Sequence, residues 1–202
     1  TKTNEAFTEL TNHLLSSHLD FDFGDEEVMS RHGALDGATL LLGQAKYQIV
    51  LLPEMRTIRR STLNLLAEFA GRGGRVFYLG DVPSRVDAYE SAAAMAVYAK
   101  FTPVNRTDYC EKISEVGRQI SLRDNCNKEL PSLFYQMRRS ADCTTIFVCN
   151  IGMVPMAAEM RAPMVRERLI SCDEVNVQLP GCAGEKVFEL SLMDGTIRPL
   201  TS

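Results

Sequence analysis

The chain has 202 residues, of which 45% are hydrophobic and 24% charged, with a formal charge of −4. That is the balance of an ordinary folded domain, and mild acidity without a basic tract argues against gripping a phosphate backbone, so no nucleic-acid partner is expected. No apolar run approaches the roughly 20 residues that span a bilayer, so no membrane partner is expected either.

The opening Thr1-Lys2-Thr3-Asn4 has neither an initiator Met nor the layout of a signal peptide, and reads as a boundary inside a longer polypeptide. Phe7, Leu10 and Leu14 recur at helical spacing and predict an amphipathic helix over Asn4 to Ser17. Asp20-Phe21-Asp22-Phe23 alternates as a short strand would, and Gly24 breaks it. Asp25 is placed to cap a short helix through Met29, with Glu26 and Glu27 suiting the positive end of its dipole. Thr39–Leu42 is extended and closed by Gly43, and Tyr47–Leu52 is a buried strand stopped by Pro53. A helix is expected from Thr57 to Ala70, with Ile58, Leu65, Leu66 and Phe69 on one side, then a buried strand over Val76–Leu79. Ser91–Lys100 and Asp108–Val116 read as helices. Strands alternating with helices imply parallel pairing through right-handed crossovers. Residues 1–117 therefore read as an open, mostly parallel α/β sheet with flanking helices, Rossmann-like or flavodoxin-like.

Residues 118–202 read as antiparallel β, either part of a sandwich or strands that complete the first sheet. Leu133–Met137 and Thr145–Cys149 are joined by a polar turn, Glu174–Leu179 alternates, and Lys186–Leu190 and Thr196–Leu200 flank Asp194-Gly195, a strong hairpin signal.

Four constellations invite chemistry. Gly71-Arg72-Gly73-Gly74 follows a helix and precedes a strand, the reverse of a dinucleotide loop, and fits a helix C-cap with a tight turn. The acidic stretch Asp20, Asp22, Asp25, Glu26 and Glu27 lacks calcium-loop spacing, because Gly24 is fifth and Arg31 twelfth from Asp20. The six cysteines form no Cys-x-x-Cys pair, and His13, His18 and His32 lie far from them in sequence, so neither a metal nor a cofactor is expected; free thiols are favoured and a disulfide stays open. Unpatterned cysteines also slightly favour a reducing, cytoplasmic location over export. Cys149 follows a strand with no histidine after it, which leaves a cysteine enzyme without its base. No catalytic residue is assigned. Position alone singles out Glu54 and Asp81, each just past a buried strand, where open α/β sheets bind ligands. With Pro53, Gly80 and Pro83 they form a candidate cleft, although Pro53 and Gly80 also serve simply to end strands.

Asp20–Glu26 (Asp-Phe-Asp-Phe-Gly-Asp-Glu), Tyr47–Pro53 (Tyr-Gln-Ile-Val-Leu-Leu-Pro) and Gly73–Pro83 (Gly-Gly-Arg-Val-Phe-Tyr-Leu-Gly-Asp-Val-Pro) occur in an order that resembles the glutamine-amidotransferase-like α/β domain of multidomain glycoside hydrolases. That group includes α-L-rhamnosidase-like proteins and the trimerisation domain of some β-galactosidases. Phe147-Val148-Cys149-Asn150 resembles the start of the β-rich segment that follows in them. The resemblance implies a catalytic barrel elsewhere in the same parent chain as partner, a possible homo-oligomer, and a non-catalytic accessory role for this domain. Glycoside cleavage needs two carboxyl groups about 5–5.5 Å apart for retention or 6.5–9.5 Å for inversion, and in that group they belong to the barrel. The alternatives are a carbohydrate- or anion-binding module using the cleft, and a degenerate amidotransferase-like cysteine enzyme.

Overall fold

The computed structural model describes residues 2–151, 171–172, 174–182 and 184–200, and among them the chain forms two units, the first ending at Arg118 and the second beginning at Gln119. In the first unit, α1 (Lys2–Ser16) forms where the Phe7/Leu10/Leu14 stripe predicts it. The next helix, α2 (Glu26–His32), starts where Asp25 Oδ1 accepts hydrogen bonds of 2.9 Å from the backbone N–H groups of Glu27 and Val28. The expected strand at Asp20–Phe23 does not form. Its backbone joins no ladder, and its side chains interact instead: the Tyr47 hydroxyl donates to Asp22 Oδ2 over 2.6 Å, and the Phe21 and Phe23 rings meet edge-on at 5.4 Å.

Three strands follow as an antiparallel meander, β1 (Gly33–Asp36), β2 (Thr39–Leu42) and β3 (Ala45–Tyr47). The chain then runs β4 (Ile49–Leu52), β5 (Thr57–Ile58), α3 (Arg60–Gly71), β6 (Arg75–Leu79), β7 (Arg85–Val86), β8 (Tyr89–Glu90), α4 (Ala93–Tyr98), β9 (Thr102–Val104) and α5 (Tyr109–Gly117). Parallel pairing is present in a three-stranded sheet of order β4-β6-β9, while β5-β7-β8 make a separate small sheet. The fold of this unit is thus mixed α/β with a parallel core sheet, and the single wide open sheet expected of a flavodoxin-like domain is replaced by several small ones. Short strands joined by tight turns, such as those at Gly37 (φ 54°) and Gly43 (φ 61°), pair with their neighbours in sequence before they can extend the parallel sheet.

Two further expectations are corrected. Tyr47–Leu52 is not one buried strand: β3 ends at Tyr47, and in β4 only Leu52 is buried, because β4 is an edge strand of its sheet. The helix does not begin at Thr57 either. Thr57 and Ile58 pair with β7, and the helix starts at Arg60, where side-chain acceptors from other segments fix it.

Alternation along the central strand β6 divides the interior. Val76 faces a cluster containing Leu63, Leu66, Phe69, Tyr98 and Phe101, whereas Phe77 and Leu79 face one containing Leu14, Tyr109 and Ile113. The parallel sheet therefore lies between α3 and α4 on one side and α1 and α5 on the other. The Ile58 side chain is 1% exposed in the first cluster, reached from a strand and not from a helix face.

Among the described residues the second unit holds three antiparallel pairs: β10 (Ser121–Arg123) with β13 (Asn176–Gln178), β11 (Leu133–Arg139) with β12 (Thr144–Asn150), and β14 (Val187–Leu190) with β15 (Ile197–Leu200). Among its described residues Ile120, Leu122 and Leu133 are buried, with Tyr135, Ile146, Val148 and Leu179 packed on them.

Candidate functional site

Parallel register brings part of the expected cleft together. Leu52 pairs with Tyr78, so the chain leaves both strands side by side, and Glu54 comes to lie against Gly80. Gly80 has φ +71°, a conformation that disfavours side chains, and a Cβ built there would sit 2.7 Å from Glu54 Cγ. The glycine therefore makes room for the glutamate as well as ending the strand.

A third residue joins them that the sequence did not single out. Arg106, in the turn between β9 and α5, has its guanidinium 3.7 Å from Glu54 Oε2 and 3.5 Å from Glu9 Oε2 on α1. The turn itself is held by the Asn105 side chain, which accepts from the Thr107 backbone and hydroxyl, and by Asp108, which accepts from the Asn105 N–H. Lys112 beside Asp108 holds that carboxyl below the usual carboxylate range, with the Asn105 backbone N–H adding to the effect. Glu54 and Arg106 are each 62% exposed, so the bridge contributes at most about 1 kcal/mol. Asp81 is exposed, Pro53 is half-buried, and Pro83 is buried in the segment leading to β7.

A second place gathers polar groups at the start of α3. Glu26 Oε1 accepts from the Arg59 N–H and Asp87 Oδ1 from the Arg60 N–H, each at 2.9 Å, supplying the cap that Arg59 itself cannot provide. Glu27 bridges Arg59 and Arg31. Glu26, Arg59, Arg60 and Asp87, with Thr57, Ser61 and Ala88, border an open recess of about 600 Å³ that shares no residue with the expected cleft. Local spacing relates Glu26 and Glu27 only to their own helix dipole; their reach to the start of α3 comes from long-range contacts that spacing does not show.

The Asp20 carboxyl is raised above the ordinary carboxylate range, by partial burial first and then by the charge of Asp22. The Tyr47 hydroxyl, half-buried and donating to Asp22, is pushed up to about 12. Among the described residues no three His, Cys, Asp or Glu side chains come close enough to share a metal ion, and no helix is long and apolar enough to cross a membrane.

All six cysteines are free thiols. Cys149 lies within β12 opposite Phe134, half-buried. Cys143 is exposed at the β11–β12 turn, where hydrogen bonding with Ser140 and then Thr145 lowers its thiol below the usual range; burial raises Cys110.

No family model, curated protein or solved structure matches this chain.

Proposed function

We propose that the chain is a non-catalytic accessory domain of a glycoside hydrolase, supporting a catalytic barrel of the same parent polypeptide or an oligomer interface. The observation that carries this reading is the Glu9–Arg106–Glu54 arrangement. At the strand ends, where open α/β sheets usually receive ligands, this chain sets its own ion pairs, tying α1 to the β9–α5 turn. Those residues are thereby given a scaffolding role.

The purified 202-residue chain should release no nitrophenol from a panel of aryl glycosides, while the natural polypeptide cleaves at least one of them. Turnover by the 202-residue chain that disappears in Asp22→Asn or Glu26→Gln would overturn the proposal.

One observation favours a second reading, a carbohydrate or anion site at the same place. Both Arg106 contacts are long, at 3.5 and 3.7 Å, so the guanidinium is available to a better-fitting acceptor. Calorimetry with monosaccharides, oligosaccharides and inorganic phosphate separates the two. Heat of binding that is lost in Arg106→Ala supports the binding module, and no heat across the panel removes it.

A further inference from the structure

The β14–β15 hairpin is exposed at all eight of its strand residues. Its register is Val187↔Leu200, Phe188↔Pro199, Glu189↔Arg198 and Leu190↔Ile197. Residues directly opposite share a face and successive residues alternate, so one face carries Phe188, Leu190, Ile197 and Pro199 and no charge. The other carries Val187, Leu200 and the opposite charges Glu189 and Arg198, the composition of a face turned to water. Yet on the charge-free face Phe188, Leu190 and Ile197 are 58%, 59% and 67% exposed, and Leu192 and Met193 in the connecting turn are exposed too. A lone two-stranded hairpin is marginal in water and needs a third strand or a packed layer.

We infer that this charge-free face is a docking surface, and that its occupant is an apolar β-sheet face from a neighbouring domain of the same polypeptide. Area selects a tethered occupant. Large apolar side chains carry roughly 60–120 Å² each, so the four on the face and two at the turn offer on the order of 500 Å², or about 1,000 Å² counting both partners. That lies within the roughly 600–1,500 Å² of interfaces between domains of one chain, and below the roughly 1,200–2,000 Å² of stable free complexes. A tether raises the effective concentration of the partner and makes a surface this small sufficient.

The edges favour covering the face over adding a strand beside β15. The Ser191 N–H donates to the Thr196 carbonyl over 2.9 Å, which makes that pair a hydrogen-bonded one. Pairs alternate, so Phe188↔Pro199 is non-hydrogen-bonded, and the backbone nitrogen of Pro199 points to the outer edge of β15 with no hydrogen to give. This inference rests on the accessory-domain reading for the existence of a neighbour, and not for the surface itself.

The test is photo-crosslinking of the natural polypeptide carrying Phe188→p-benzoylphenylalanine, with the same replacement at exposed Phe23 as control and peptide mapping of the products. The expected product is an intramolecular crosslink, at monomer mass, to a β-rich peptide outside residues 1–202, at least fivefold more abundant than any from position 23. Crosslinks within residues 1–202, products at dimer mass, a yield no greater than the control, or a natural polypeptide with no residues beyond these 202 would each overturn it. The glycosidase assay reads the other proposal separately. A parent that lacks hydrolase activity but gives the crosslink removes the enzyme assignment alone, and an active parent without the crosslink removes only the docking surface.

Discussion

Gly80 carries two constraints that a single added methyl group would violate. Its φ of +71° costs an L-residue about 1–2 kcal/mol, and the new Cβ would meet Glu54 Cγ at 2.7 Å. Gly80→Ala should therefore lower unfolding stability by about 1–3 kcal/mol in urea titration. In a Glu54→Ala background part of that cost should vanish, because Cγ and Cδ are gone, leaving the backbone strain and the 3.0 Å contact with Cβ of residue 54. Equal costs in the two backgrounds would mean that the glutamate contact is irrelevant. Asp20 gives a second prediction. Burial and the charge of Asp22 raise its folded-state pKa above that of the unfolded chain. The folded protein thus holds this proton longer, so its contribution is most favourable below the unfolded value, is lost as pH rises through the folded value, and stays lower above it. Asp20→Asn removes the penalty. The melting temperature of the variant relative to the native chain should rise between about pH 3 and pH 7, and a constant difference across that range would refute the assignment.

Among elements, α3 shows how a start point is set from a distance. Neither Thr57 nor Arg59 provides a side-chain cap, and the acceptors come from Glu26 on α2 and Asp87 in the β7–β8 turn. Asp87 and Ala88 have φ of 52° and 68°, the two-residue hairpin turn in which Asn-Gly or Asp-Gly is preferred. Asp tolerates this conformation better than Ala does. Ala88→Gly should thus stabilise the protein by about 0.5–1 kcal/mol, part of the relief being offset by a freer unfolded chain. A lower urea midpoint in that variant would show that the turn is not under strain. The sequence signalled α1, α2 and α5 well because each depends on its own apolar spacing or cap, and Asp25 did cap α2. It misplaced the start of α3 because the residues that set it are 27 and 33 positions away.

At the scale of the molecule, the parallel core sheet and the antiparallel pairs at β11–β12 and β14–β15 were legible from alternation and turn chemistry. The number of strands per sheet was not. The order β4-β6-β9 depends on Thr102–Val104 leaving a six-residue helix and finding β6, a closure no local pattern encodes. The candidate site divides the same way. Glu54 and Gly80 were recognisable as strand-end residues, but Arg106 has no feature of its own and matters only through where the β9–α5 turn delivers it. The chain's own order of residues determined where helices such as α1 and α2 and strands such as β6 and β12 would form, since propensity, side-chain period and glycine or proline stops act within a few residues. Only the tertiary structure decided which strands share a sheet, which charges meet at the strand ends and that the β14–β15 strand residues are exposed. Those outcomes depend on segments distant in sequence competing for the same partners, and the winner is set by the apolar area each pairing buries against the chain entropy it costs.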